Sequence, residues 1–165
     1  MDLLAVTLFE LSLSLHITAV VVGLGATFAE AVTFPVAMRL SVRHLPYVHQ
    51  LQLTINSRLT SPALLVVLLT GFYQVAEGNW NLGEPWISAS FLIVIVLGGL
   101  VGAYFIPTDR RLGAMVEAEI AAAGDGEPQL SDEYLRAGRR EGAIGALAGV
   151  LIVIAVFLMV IKPGA

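Results

Sequence analysis

The sequence has no cysteine and few charged side chains. Without cysteine, disulfide frameworks, thiolate metal sites and cysteine nucleophiles are excluded. Charged residues make up 13% and hydrophobic residues 57% of the chain, whereas a soluble domain carries about 25% charged and about 45 to 50% apolar residues. The net charge of -4 argues against a polyanion such as nucleic acid as a partner. The composition therefore predicts a protein that lies in lipid.

Four apolar runs fill most of the chain, at about residues 3–40, 59–76, 86–106 and 143–161. Each is long enough to cross a hydrocarbon core of about 30 Å. Only helices and closed barrels satisfy the backbone in lipid, and short connections make sequential helices antiparallel. We therefore expect an all-α fold. It is a single four-helix transmembrane bundle over residues 1–165, running up, down, up and down.

An alternative for the first run is a cleaved signal peptide, because Ala29-Glu30-Ala31 has the small-x-small pattern of a cleavage site. The leader MDLLAVTLFE has no basic residue, and the apolar run is longer than the about 7 to 15 residues of a signal. The sequence favours a retained membrane helix.

Basic residues set the expected orientation. Eight of the nine Lys and Arg residues lie in, or at the edge of, the connections between the first and second runs and between the third and fourth. By the positive-inside bias, these connections face the cytoplasm of a bacterial-type inner membrane, and both termini lie outside. Trp80 and Trp86 flank the remaining connection, which suits the preference of indoles for the membrane interface.

Helix-forming sequence continues beyond the apolar runs on the basic side. From Pro46, at a first-turn position, a helix can run into the second crossing, with a kink at Ser61-Pro62. After Pro107, RRLGAMVEAEIAAA favours helix, GDGEPQ favours a turn, and Ser131 is suited to begin the next helix. We therefore expect a cytoplasmic helical hairpin at about residues 108–141, with its charges forming a solvated interaction face.

One face of the first helix is entirely small or polar. Its members recur at steps of four and three: Ser12, His16, Ala19, Gly23, Ala26, Glu30, Thr33 and Ala37. This pattern indicates close helix packing, with hydroxyl groups bonding across the contact. The alternative is a cofactor, proton or substrate site around the intramembrane polar residues His16 and Glu30, because ionisable groups in membranes are costly and often functional. A neutral His16 would hydrogen-bond to Thr70 or Tyr73, which we expect at a similar depth in the second helix.

Glycines at small-xxx-small spacing predict close contacts between helices. We place these contacts at five positions: Gly23, Gly98, Gly102, Gly145 and Gly149. A missing side chain lets two backbones approach and gain dispersion contacts, which matters where lipid is as apolar as leucine. Packing within the chain is the expected role, and a homodimer face is the alternative.

The polar residues form no recognisable catalytic set. There is no Ser-His-Asp arrangement, phosphate loop or paired-carboxylate motif. His44 and His49 are five residues apart, whereas a spacing of four places two ligands on one helical face. We therefore predict neither catalytic residues nor a metal site, and expect a protein without catalysis rather than an enzyme.

Several motifs along the chain carry a resemblance. With LHITAVVVGLGATF, RLTSPALLVVLLTGF, Trp86 and PTDRRL, the chain resembles a bacterial four-helix integral-membrane family of unknown function. LHI with a downstream glycine and phenylalanine is distantly similar to the first helix of HemJ-type protoporphyrinogen oxidases and of copper-resistance D proteins. In the HemJ-type family a membrane histidine is associated with haem, and the resemblance maps it onto His16.

The expected function is that of a multi-pass inner-membrane protein serving as a subunit or accessory of a membrane assembly. Its expected partners are the lipid bilayer and either further copies of itself or a larger membrane complex. No cofactor is expected, with haem b at His16 as the alternative that would make the protein a redox enzyme. A small permease is a third interpretation, which lacks the interrupted helices typical of transporter sites.

Overall fold

Four long helices make up the computed structural model, which describes residues 7–164. They are α1 (Leu8–Leu40), α2 (Val42–Glu77), α3 (Pro85–Ala123) and α4 (Asp132–Ile161). Each is long and apolar enough to cross a membrane, and residues 7–164 contain no strand. The predicted all-α fold with four transmembrane helices is confirmed. The first predicted run begins before residue 7, and that part lies outside the described residues.

Side chains and backbone turns mark the helix ends, including the turn and the Ser131 start that the sequence predicts. Thr7 caps α1: its side chain accepts a hydrogen bond from the Glu10 backbone, and the Glu10 carboxylate accepts one from the Thr7 backbone. The Ser131 side chain accepts from Tyr134 N at the start of α4. Gly124, with φ of 54°, follows the end of α3, and a positive φ favours glycine. We call the end of the bundle with the connection at 78–84 the turn end, and the opposite end the hairpin end.

At the hairpin end, the extensions of α2, α3 and α4 form one packed layer. Leu45 of α2, Leu112 and Val116 of α3 and Tyr134 of α4 are each 0% exposed and belong to one hydrophobic cluster. The segment at about residues 108–141 is thus helical on both sides of a turn, as predicted. It is not solvated all round, because its inner face packs on α2.

Arg43 links two parts of the chain at this end. Its Nη2 donates to the backbone oxygens of Gly124 and Gly126, at 2.7 Å each. A guanidinium group offers several donors in a fixed plane, so one side chain can bind two carbonyl groups. The start of α2 is thereby joined to the turn between α3 and α4.

Three helices each contain a π-helical segment, and these segments meet in the middle of the bundle. They are Val20–Leu24 in α1, Asn56–Thr60 in α2 and Leu100–Phe105 in α3. The segment of α2 contacts the other two. A π-helical turn holds one extra residue, which widens the helix locally, and such turns are frequent at functional sites.

Prolines account for two of the three π-helical segments. Pro62 and Pro107 each lie two residues after the end of a segment. Proline has no backbone N–H and its ring clashes with the preceding turn, so that turn cannot keep the regular α-helical bonds. The Ser61 hydroxyl donates to the Asn56 carbonyl at 2.7 Å. The kink predicted at Ser61-Pro62 is therefore a widened turn in a continuous helix.

The small and polar face of α1 points into the bundle, as the sequence predicts. Its eight members are buried or half-buried, whereas Leu13, Val21 and Phe28 are exposed. Leu24 is 4% exposed and belongs to the central hydrophobic cluster. The face holds α1 close to α2: the Thr60 hydroxyl donates to the Gly23 carbonyl at 3.3 Å.

The predicted packing role of the glycines needs a correction. A Cβ atom at Gly98, Gly102 or Gly145 would meet no heavy atom within 4 Å among the described residues. Contacts within the chain therefore do not explain these three glycines. A Cβ atom at Gly149 would lie 3.6 Å from Phe28, in ordinary contact, and one at Gly23 would overlap the side chain of Ala63. Of the five glycines predicted to pack, Gly23 alone is required for a close approach among the described residues.

Gly23 and Gly25 offer a matched test of that approach. We expect Gly23→Ala to lower the unfolding free energy by about 1–3 kcal/mol, because the added methyl group forces α1 away from α2. Gly25→Ala adds the same group two residues away, where nothing lies within 4 Å, and should not destabilise. Thermal unfolding in detergent compares the two. Equal melting temperatures would contradict the close contact.

Candidate functional site

A group of polar side chains is buried where α2, α3 and α4 meet at the hairpin end. His49 and Asp109 are 1% and 2% exposed. His49 Nδ1 lies 3.4 Å from Asp109 Oδ1, and His49 Nε2 lies 2.8 Å from the Tyr134 hydroxyl. Asn56 Nδ2 donates to Asp109 Oδ2 at 3.4 Å. Ligand atoms of His49, Asp109 and Glu141 all lie within 4.8 Å of one another. We call these five residues the polar cluster.

The chain brings these residues together because they lie at matching depths. Asp109 follows the apolar run of α3, and Glu141 precedes the apolar run of α4. His49 and Asn56 are seven residues apart on α2, which is about two helical turns and places both on one face. Tyr134 lies seven residues before Glu141 on α4, so these two residues also share one helical face. Antiparallel packing then places both faces against Asp109.

A cavity of about 660 Å³ extends from the polar cluster towards the middle of the membrane. All four helices line it, and each π-helical segment contributes side chains to its wall. Glu30, Asp109 and Glu141 bring carboxylates to it from three different helices. Glu30 Oε1 and Gln52 Oε1 are buried oxygens without a hydrogen-bond partner among the described residues. The cavity therefore has unused acceptors.

The cavity opens sideways between α1 and α4. Phe28 of α1 and Val150 and Val153 of α4 line it, and they are 48%, 55% and 58% exposed on the bundle surface. Gly142 and Gly145 also line it on α4 and leave space where side chains would stand. The exposed side chains of the lining are apolar, whereas Asp109 is buried and Glu30 and Glu141 are half-buried.

Charges around the cavity are of one sign. No Lys or Arg occurs among its described lining residues. In a medium of low dielectric constant, charge is costly unless it is paired, hydrogen-bonded or coordinated to a metal. Three carboxylates in one cavity therefore favour the entry of protons or another cation. The carboxylates of Glu30, Asp109 and Glu141 are therefore the groups through which the cavity can bind such a ligand.

His16 lies in a separate polar contact nearer the turn end. Its Nδ1 is 2.8 Å from Thr70 Oγ1, so the predicted bond to Thr70 is present. The Thr70 hydroxyl donates to the Val66 carbonyl at 2.6 Å, which leaves its oxygen to accept from His16 Nδ1–H. Gly71 lies beside the imidazole, and a Cβ atom there would be in ordinary contact with His16 Cε1 at 3.7 Å. His16 is not part of the polar cluster.

Of the two intramembrane polar residues, sequence reasoning found one that lines the cavity, and it missed the polar cluster. It singled out Glu30, which lines the cavity, and His16, which does not. It considered His49 only beside His44, which is exposed. Asp109 and Glu141 were missed as site residues, although each lies at the hairpin end of an apolar run. A comparison of which polar residues lie at the same depth on different helices would have identified Asp109 and Glu141.

The bond between His16 and Thr70 predicts a structural role for His16. We expect Thr70→Val to lower the unfolding free energy by about 1–3 kcal/mol, because it leaves a buried N–H without an acceptor. Thr70→Ser keeps the hydroxyl and should restore most of the loss. Unfolding in detergent measures both, and an absorption spectrum tests the haem alternative. Stoichiometric haem in the wild type, lost in His16→Ala, would overturn the structural role.

Comparison with known proteins gives one match at the level of families. The model of a family described as "Predicted integral membrane protein (DUF2269)" matches residues 10–163. No curated protein and no solved structure matches the chain. The match covers all four helices described above, and its description agrees with their length and composition.

Proposed function

Since the chain belongs to the DUF2269 family of predicted integral membrane proteins, we propose a function within the bilayer: the protein binds a cation in the cavity between its four helices. The observation that carries this proposal is the set of carboxylates on Glu30, Asp109 and Glu141, which line one cavity without a basic side chain among its described lining. A bound cation supplies the positive charge that the described lining residues lack.

Burial strengthens the attraction between a cation and the carboxylates of the cavity. Two unit charges 4 Å apart attract by about 1 kcal/mol in water and about 4 kcal/mol at the effective dielectric constant of about 20 that applies near a protein surface. Asp109 is 2% exposed, and Glu30 Oε1 is buried without a hydrogen-bond partner in the part of the chain that the structure describes. A cation that enters gains these interactions and also satisfies oxygens that otherwise lack hydrogen bonds.

The shape of the cavity also favours binding of a small ligand. Its lateral entrance is apolar and its volume is about 660 Å³, within the range of about 300–1,000 Å³ typical of small-molecule sites. The helices remain continuous through their widened turns, unlike the broken helices of many transporters. Binding within a subunit or accessory of a membrane assembly therefore has more support than transport by the chain alone.

Two probes of different chemistry test cation binding. We expect the purified protein in detergent to bind tetraphenylphosphonium, Mn²⁺ or both, as measured by calorimetry. The double variant Glu30→Gln/Glu141→Gln should lower the affinity for a bound probe at least about tenfold, because it removes two carboxylates from the cavity while keeping their size.

Glu117→Gln is the matched control, since it removes a carboxylate from an exposed position on α3. It should leave the affinity within about twofold, as expected for an exposed, solvated charge. If the wild type binds neither probe, or if both sets of variants bind equally, the proposed function is wrong.

We further propose that the hairpin end faces the cytoplasm of a bacterial-type inner membrane, and that α3 contacts a second subunit. Eight of the nine Lys and Arg residues lie towards the hairpin end, in agreement with the positive-inside bias. On α3, four small residues are exposed: Gly98, Gly99, Gly102 and Ala103. Such residues let a neighbouring helix approach closely.

Single cysteines test both proposals, because the chain has no cysteine of its own. In intact cells, Asp125→Cys in the hairpin-end turn should resist a membrane-impermeant maleimide until the membrane is permeabilised. On oxidation, Gly102→Cys should form a dimer, whereas Leu147→Cys on the exposed face of α4 should not. Labelling of Asp125→Cys in intact cells would reverse the orientation. Equal crosslinking at both positions, or none at residue 102, would contradict a specific contact between copies.

A further inference from the structure

The geometry points to the cation that the polar cluster takes: a divalent first-row transition metal, held by His49, Asp109 and Glu141. This inference rests on the proposed cation binding and names the ligand class and the residues. Each of the three helices α2, α3 and α4 provides one ligand, and the ligand atoms already lie within 4.8 Å of one another. The metal would join the three helices at the hairpin end.

The distance between His49 and Asp109 fits two ligands of one ion. Their atoms Nδ1 and Oδ1 are 3.4 Å apart, which is at the long limit of a hydrogen bond, since one between charged partners is about 2.7–2.9 Å long. Two atoms that each lie about 2.1 Å from a tetrahedral ion are about 3.4 Å apart. The pair is therefore spaced for an ion between them, and Glu141 is placed to complete the third position.

Surrounding side chains support the two buried ligands. A histidine that binds a metal through one nitrogen usually donates its other N–H to an oxygen, which fixes the ring. Tyr134 OH lies 2.8 Å from His49 Nε2 and can accept this bond, leaving Nδ1 for the ion. Asn56 Nδ2 donates to Asp109 Oδ2, which leaves Oδ1 for the ion. Tyr134 and Asn56 are thus positioning residues.

Ligand chemistry selects the class of metal. One imidazole and two carboxylates combine a nitrogen ligand with hard oxygen ligands, and this mixture suits Mn²⁺, Fe²⁺ or Zn²⁺. Cu⁺ prefers soft sulfur ligands, and the cluster contains none. Mg²⁺ and Ca²⁺ favour sites made only of oxygen atoms. A divalent charge also balances the two carboxylates that bind it.

A partly apolar organic cation is the competing occupant, and the two differ in the residues they need. Such a cation would lie in the wide part of the cavity, against Phe28 and the unpartnered Glu30 oxygen. It would need a carboxylate but not the His49 nitrogen. His49 is 1% exposed and lies beyond the cavity lining, so its involvement distinguishes a metal from an organic ligand.

Mn²⁺ titrated into the purified, metal-free protein tests the inference. We expect one ion per chain by electron paramagnetic resonance, with pulsed measurements showing coupling to a single histidine nitrogen. Asp109→Asn and His49→Gln should each lower the affinity at least about tenfold. Tyr134→Phe should keep the stoichiometry but weaken binding about 10- to 100-fold, as expected for a positioning residue. Zn²⁺ should compete with Mn²⁺, and Mg²⁺ in similar amounts should not.

The outcomes separate this inference from the proposed function. Binding of tetraphenylphosphonium without Mn²⁺ would overturn the metal site and leave cation binding in place. Mn²⁺ without nitrogen coupling, bound equally by the wild type and His49→Gln, would also overturn it. Failure of both probes would contradict both proposals. The nitrogen coupling is measured on the wild type, so the test holds even if His49→Gln does not fold.

Discussion

Polar groups inside a bilayer must find their partners within the protein, and this constraint organises the whole bundle. The Ser61 hydroxyl bonds to the Asn56 carbonyl in the turn before Pro62, Thr60 bonds to Gly23 on the next helix, and Thr70 accepts from His16. Each of these groups turns inward, away from lipid. Against this background the unpartnered oxygen of Glu30 is informative, because it lies in a cavity rather than in a packed contact.

The cavity results from two departures from regular packing. Widened turns of α1, α2 and α3 meet at mid-bundle and contribute to its wall. On α4, Gly142 and Gly145 leave space beside them. A regular helix with larger side chains would fill this volume, since protein interiors pack to high density. These glycines therefore provide volume, which differs from the close contact at Gly23.

Hydropathy and periodicity were enough to predict the four membrane crossings and the inward face of α1. Each of these features is set by the sequence of a single helix and its contact with lipid, without reference to the other helices. The polar cluster depends on the rotation and depth of three helices at once. The spacing of His44 and His49 was tested against ligands on a single helix, but His49 finds its neighbours on α3 and α4. The glycines of α3 illustrate the same limit: their spacing indicates a close contact, but it does not identify the partner.

The cavity keeps its negative charge because basic side chains at the hairpin end bind partners elsewhere. Arg43 binds two backbone carbonyls in the turn after α3, and Arg111 pairs with Glu133, with both side chains at least 60% exposed. Their positive charges are thus held at the surface, where water screens them. Asp109 and Glu141 remain close together inside. Since two like charges so near each other are unfavourable in a buried site, the proposed cation between them would stabilise the packing of all three helices. Occupancy and stability at this end of the bundle are therefore linked, because anything that binds the folded state stabilises it.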